Sequence, residues 1–180
     1  ESYYELYNML YDTENWTYCV KYIKHAISLA NKVRKKDIAD KYIQELVKTV
    51  IEVNGADKLY FSISIIEFLL EYNVEDLVSL LAVLDNIINN TSDNIDRVEK
   101  AYSLKTTIHN KKNEKAAAKE NQLQLALYFE NISEIKDDIR SLYIAEKNLE
   151  KAILIYKNEG KKEELERATR KLLEVQKEIP

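Results

Sequence analysis

The sequence predicts an all-α protein, an irregular α-solenoid or helical bundle of about nine antiparallel helices. Three observations predict it. Two glycines and one proline, Pro180, stand in 180 residues, too few for the tight turns that an all-β chain needs about every ten residues. Apolar residues recur at i, i+3, i+4 and i+7 along most of the chain. Short polar clusters rich in Ser, Thr, Asn and Gly interrupt those runs where helix caps belong.

The first helix, over residues 2–11, opens at Ser2-Tyr3-Tyr4-Glu5, where the serine oxygen can reach the third amide and the glutamate can reach back. Thr13 caps a second helix over residues 14–33, with Trp16, Cys19, Val20, Ile23, Ala26, Ile27, Ala30 and Val33 on its apolar face. A third over residues 36–53 carries Ile38, Tyr42, Ile43, Leu46, Val47 and Val50, and Asn54-Gly55 stops it because both residues accept the left-handed conformation. The fourth, over residues 57–72, contains the strand-like alternation "YFSISII"; its length and the continuation into "EFLLEY" favour helix. Asn73 caps a fifth helix over residues 74–89. Its apolar residues nearly encircle it, which predicts a central position.

Asn89 to Asn94 reads as a polar loop. Helices over residues 95–110, 114–131, 134–159 and 161–179 follow. Ser133 caps the long one, whose stripe is Ile135, Ile139, Leu142, Leu149, Ala152, Ile153 and Tyr156. The last presents Leu165, Ala168, Leu172, Val175 and Ile179 on one face, with Glu163–Arg167 and Glu166–Arg170 as i,i+4 pairs on the other.

One domain spans residues 1–180, with an apolar half over 1–90 and a polar, hairpin-like half over 91–180. The net charge is −4, and residues 61–100 hold eight acids against Arg97 and Lys100. Such a balance gathers no phosphate backbone, so nucleic acid is a disfavoured partner. The lone cysteine, Cys19, permits no internal disulfide and points to a cytoplasmic location. Residues 59–88 are the most apolar stretch, but Glu67, Glu71, Glu75, Asp76 and Asp85 break it, so no membrane span is expected. The chain begins at Glu1 without a methionine, which suits a piece of a longer protein.

"AISLANKVRKKDIADKYIQEL", residues 26–46, aligns without gaps on "AILIYKNEGKKEELERATRKL", residues 152–172. A third copy lies at "NKKNE", with Asn110 in the place of Gly160 and Lys111-Lys112 next. The shared physics is a helix ending in a left-handed residue, basic groups at its negative end, and an acid at the start of the next helix. Gly160 and Asn110 suit that conformation, whereas Arg34 does not. Ala152-x3-Tyr156-x3-Gly160 and then Ala168 resemble the inter-helix boundaries of tetratricopeptide-type repeats over about the last 45 residues. The same tail is similar to helical regions of uncharacterised bacterial multidomain proteins. These resemblances imply a helical scaffold for protein–protein interaction.

Catalytic and metal signatures are weak. His25 and His109, the two histidines, stand in no metal-ligand spacing. Cys19 shares a face with Trp16 and Ile23 and reads as a core residue. The arginine-to-histidine spacing of all-helical ribonucleases is absent, and two isolated glycines cannot form a phosphate loop. No catalytic residue, cofactor or metal is therefore assigned. The candidate partner-binding residues are Tyr3, Tyr7, Tyr11, Tyr18 and Tyr22, at helical spacing, with the basic Lys35 and Lys36; tyrosine is large, rigid and amphipathic, as binding surfaces favour. The expected function is a non-catalytic scaffold holding a protein partner or another domain of the same chain. The alternative is the helical part of an enzyme or toxin-like effector whose catalytic residues lie outside this segment; a histidine brought against acids would favour it.

Overall fold

The computed structural model of the chain describes residues 2–11, 16–52, 59–72, 74, 76–91, 94–133 and 139–179. Within them, the side chains of Ser2, Leu10, Tyr11, Trp16, Thr17, Leu59, Tyr60 and Ile139 lie outside the description. The described residues form nine helices and no strand: α1 (Ser2–Tyr11), α2 (Trp16–Lys32), α3 (Lys36–Glu52), α4 (Leu59–Leu69), α5 (Leu77–Asn90), α6 (Ile95–Lys111), α7 (Lys115–Ile132), α8 (Ile139–Asn158) and α9 (Lys162–Glu178). The chain is all-α. It divides into two compact units, Glu1–Leu104 and Lys105–Pro180, so the boundary falls inside α6 and not at the polar loop after residue 88.

In the first unit α2 packs against α1, α3 and α4, and α3 also packs against α4 and α5. Ile23, Ile27, Leu46, Ile65, Ile66, Leu69, Leu80, Leu84 and Ile87 are fully buried. Each such side chain stabilises the fold by about 1.5–3 kcal/mol, more than helix propensity supplies per residue. The alternating "YFSISII" segment is helical because Ile63, Ile65, Ile66, Leu69 and Leu70 are buried while Ser64 and Glu67 stay exposed.

Helix α5 departs from expectation. Only Leu80, Val83, Leu84 and Ile87 are buried, and Val78 is 66% exposed, so α5 packs through one face and is not encircled by neighbours. Its N-cap is Asp76, whose carboxylate accepts from the Ser79 amide at 3.0 Å; Asn73, expected in that role, lies outside the described residues, as do Thr13, Asn54 and Gly55.

In the second unit α8 packs against both α7 and α9. Leu142, Ala145, Leu149 and Val175 form a buried cluster, with Leu172 and Ile179 against it. Ser133 is the C-cap of α7, and its hydroxyl donates to the Phe129 carbonyl at 2.7 Å; the amides it was expected to cap lie outside the described residues. The segment 134–138, with Ile135, lies outside the described residues.

Three helix ends share one hydrogen-bond pattern. The amides of Lys35, Glu114 and Lys161 each donate five residues back, to the carbonyls of Ala30, His109 and Tyr156, at 2.9 Å. The preceding amides of Arg34, Asn113 and Gly160 donate three residues back, to Asn31, Asn110 and Lys157. This is the Schellman motif, which needs a left-handed residue at its centre. Arg34, Asn113 and Gly160 supply it at φ 59°, 58° and 69°. Two expectations are corrected here: Arg34 does adopt the left-handed conformation, and the middle turn is centred on Asn113, since Asn110 still belongs to α6.

Candidate functional site

The N-terminal tyrosines fall into two groups by what lies opposite them. Tyr7 is 3% exposed, and its hydroxyl meets the Thr49 hydroxyl at 2.7 Å, with Thr49 in turn donating to the Glu45 carbonyl. Burial pushes the Tyr7 phenol up to about 12. Tyr4 stacks on Tyr42 with ring centroids 4.4 Å apart, and Lys41 stands over its ring at 5.4 Å. These residues fasten α1 to α3.

Tyr3, Tyr18 and Tyr22 turn the other way. Tyr22 stacks between Tyr3 and Tyr18, with centroids at 6.1 and 6.4 Å, and His25 lies 5.6 Å from the Tyr3 ring. Tyr18 is 48% exposed and Tyr3 40%. Along α2 the stripe continues through Leu29 to Val33, at 47% and 55% exposure; Val33 was expected on the packed face, but α2 ends at Lys32 and the turn at Arg34 leaves it in water. Tyr18, Tyr22, His25, Leu29 and Val33 are spaced four, three, four and four residues apart, one face of a helix and its last turn. The adjoining face, with Cys19, Val20, Ile23, Ala26, Ile27 and Ala30, is buried. Helix α2 is therefore apolar on its packed face and again along a stripe whose middle carries Tyr3 of α1 and whose ends, Tyr18 and the Leu29–Val33 turn, are exposed. The Tyr11 side chain lies outside the described residues.

Lys35 and Lys36 are exposed in the α2–α3 turn, at the carbonyl end of α2. Lys36 also lines, with Asp40, Ile43, Gln44, Val47, Val74 and Asp76, a cleft of about 360 Å³. The Asp76 carboxylate there is taken by Ser79, whose side chain and then amide hold it below the ordinary carboxylate range.

Chemically reactive groups are placed structurally. Cys19 is fully buried with its thiol 3.8 Å from the Tyr7 carbonyl, and burial pushes it up to about 11, so it is a neutral thiol at pH 7. His109 does meet an acid: its Nδ1 lies 2.8 Å from one Glu114 oxygen. The other Glu114 oxygen is held by Lys112 at 2.7 Å, and the group clasps the α6–α7 turn. Among the described residues no group of three His, Cys, Asp or Glu is placed to hold a metal ion. No helix of the described residues is long and apolar enough to cross a membrane.

The most elaborate polar cluster is centred on Glu130 of α7, whose side chain is 2% exposed. Its carboxylate accepts from Arg167 Nε and Nη2 at 2.7 and 2.8 Å, from Lys171 Nζ at 3.0 Å and from the Tyr156 hydroxyl at 3.1 Å. The Arg167 fork holds Glu130 down at about 2, against its desolvation. Burial, then the carboxylate, pushes Tyr156 up to about 12. The cluster ties α7, α8 and α9 together. Arg167 thus leaves the expected pairing with Glu163 on its own helix for a buried partner, and Arg170 reaches the Glu166 carbonyl at 3.4 Å.

Glu130 itself escaped the sequence reading. One signal was present: it occupies an apolar register after Leu125, Ala126 and Phe129, where a carboxylate needs a cation from another helix. No family model, curated protein or solved structure matches the chain.

Proposed function

We propose that this chain is a non-catalytic helical scaffold that binds a protein partner or another domain of its own chain through the exposed face of α1 and α2. The observation that carries the reading is the stripe Tyr18, Tyr22, His25, Leu29 and Val33, with Tyr3 stacked on it. Leaving apolar area in water forgoes about 25 cal/mol per Å², and a contiguous row of aromatic and aliphatic side chains is what a docking surface presents. Tyrosines already stacked on one another lose little freedom when covered. Lys35 and Lys36 add charge at one end of the row. We further propose that the scaffold needs no cofactor and works in the cytoplasm, where the lone Cys19 thiol stays reduced. A tetratricopeptide-like use of paired helices would suit this role.

A photo-crosslinking residue placed at Tyr18 tests the proposal, with Tyr143 of α8, 53% exposed, as the control position. A discrete adduct is expected from position 18 and not from 143. The captured protein, purified, should raise the melting temperature of the wild-type chain, by about 2.7 kcal/mol of stabilisation at one hundred times Kd. Equal labelling at both positions, or no thermal shift, refutes the reading. The second reading, the helical part of an enzyme or toxin-like effector with its catalytic groups elsewhere, is favoured by one contact, His109 with Glu114. Under the scaffold reading His109→Gln changes the α6–α7 turn and no activity.

A further inference from the structure

Residues 16–36 carry six bases, Lys21, Lys24, Lys32, Arg34, Lys35 and Lys36, and no acid, in a protein whose net charge is −4. Lys24 is spoken for: it donates to the Ser64 carbonyl at 2.9 Å and lies 5.0 Å from the Phe68 ring. The other five are exposed and make no ion pair among the described residues. At about 100° per residue, Tyr18, Tyr22, His25 and Leu29 fall within about 60° of one another, and Lys21 and Lys32 border them on the side away from the buried face. Arg34, Lys35 and Lys36 close the far end.

We propose, resting on the reading of this face as a docking surface, that its occupant is an acidic amphipathic helix of a separate protein. From Tyr18 to Val33 the stripe is about 22 Å long, four turns of helix at 1.5 Å per residue. A helix laid along it covers the aromatic and aliphatic row with its own apolar positions. Its carboxylates then reach Lys21 and Lys32 along one flank and the Arg34–Lys36 turn at the end, where no competing acid on α2 repels them. A phosphate backbone would meet the bases but leave the half-exposed Leu29 and Val33 in water, so it fits this face less well than an amphipathic helix does.

The test is selection of displayed helices on the whole chain, with leucines fixed at i, i+3, i+4 and i+7 and the neighbouring positions free. Acids should be enriched over bases at the positions flanking the leucines. A selected peptide should lose about tenfold in affinity on the variant Lys32→Glu/Lys35→Glu/Lys36→Glu; these side chains are exposed and unpaired, and circular dichroism checks that the fold persists. Tyr18→Ser/Leu29→Ser should abolish binding. If bases are selected, or neither sign is preferred, while binding still needs Tyr18 and Leu29, the docking face stands and the acidic partner falls. Binding indifferent to Tyr18 and Leu29 overturns both. Two further outcomes overturn the inference: a dimer in sedimentation that the same substitutions dissociate, or capture of anionic vesicles or poly(U) through this face at about 0.15 M salt.

Discussion

Replacing Glu130 by glutamine keeps the shape of the side chain and removes the charge on which two cations and one hydroxyl converge. Glu130 is held at about 2, against 4.5 for an ordinary glutamate, and each pKa unit is worth about 1.36 kcal/mol. That difference sets an upper bound near 3 kcal/mol at neutral pH. Arg167 and Lys171 are 47% and 45% exposed, so solvent screens them and they rehydrate in the variant. The expected loss is about 2 kcal/mol. Because the folded pKa lies below the unfolded one, the contribution is complete above about pH 4.5 and is lost as pH falls from there towards 2. Urea unfolding of wild type and Glu130→Gln from pH 7 to pH 3, followed by circular dichroism, reads both quantities. The gap between the two proteins should be widest at neutral pH and narrow steadily as pH falls from about 4.5 to 3. A gap that is constant with pH, or smaller than about 0.5 kcal/mol throughout, refutes the assignment of Glu130 as the charged clasp of α7, α8 and α9.

The left-handed turns predict opposite effects of opposite substitutions. Arg34→Gly should stabilise by about 0.5–1 kcal/mol, the left-handed penalty of a side chain less the extra entropy of an unfolded glycine; an unchanged or lower melting temperature contradicts it. Gly160→Ala should cost about 1 kcal/mol although nothing lies within 4 Å of the added Cβ, so a neutral result in thermal unfolding would remove the backbone explanation. Tyr7→Phe, which loses the buried bond to Thr49, should cost about 1 kcal/mol of stability and leave peptide binding at the α2 face unchanged; weaker binding with unaltered stability would return Tyr7 to the partner surface.

Most of the fold was legible because helix periodicity and turn chemistry are local. Residues 2–11, 36–52 and 95–111 are helical within a residue or so of the expected ends, where caps and apolar spacing agree. What was not legible depends on which helix lies opposite. The apolar circumference of α5 suggested a central helix, yet Val78 faces water, because composition records what a surface could bury and not what arrives to bury it. Arg34 was rejected as a left-handed residue on its own conformational preference; the two bonds from Arg34 and Lys35 to Asn31 and Ala30 outweigh that local cost. Arg167 looked satisfied by Glu163 four residues away. A surface pair of that kind contributes a few tenths of a kcal/mol, and a buried carboxylate that would otherwise be stranded demands the arginine far more strongly.

The tyrosines show why the site was only half legible. Tyr3, Tyr7, Tyr18 and Tyr22 share the same helical spacing and the same chemistry, but a phenol is equally fit to be buried with its hydroxyl paired or left at a surface with its hydroxyl wet. Tyr7 found Thr49 across α3 and became core. Tyr22 found only other rings, Tyr3 and Tyr18, and stayed at the surface. Paired hydroxyls and stacked rings have different consequences. A buried hydrogen bond is spent on stability and has nothing left for a partner, whereas rings stacked side by side with exposed edges have paid part of their ordering cost and retain their outer surface. The weight of the binding hypothesis therefore belongs on the α2 stripe from Tyr18 to Val33, where aromatic and aliphatic side chains continue at helical spacing for four turns and Tyr18, Leu29 and Val33 are about half exposed.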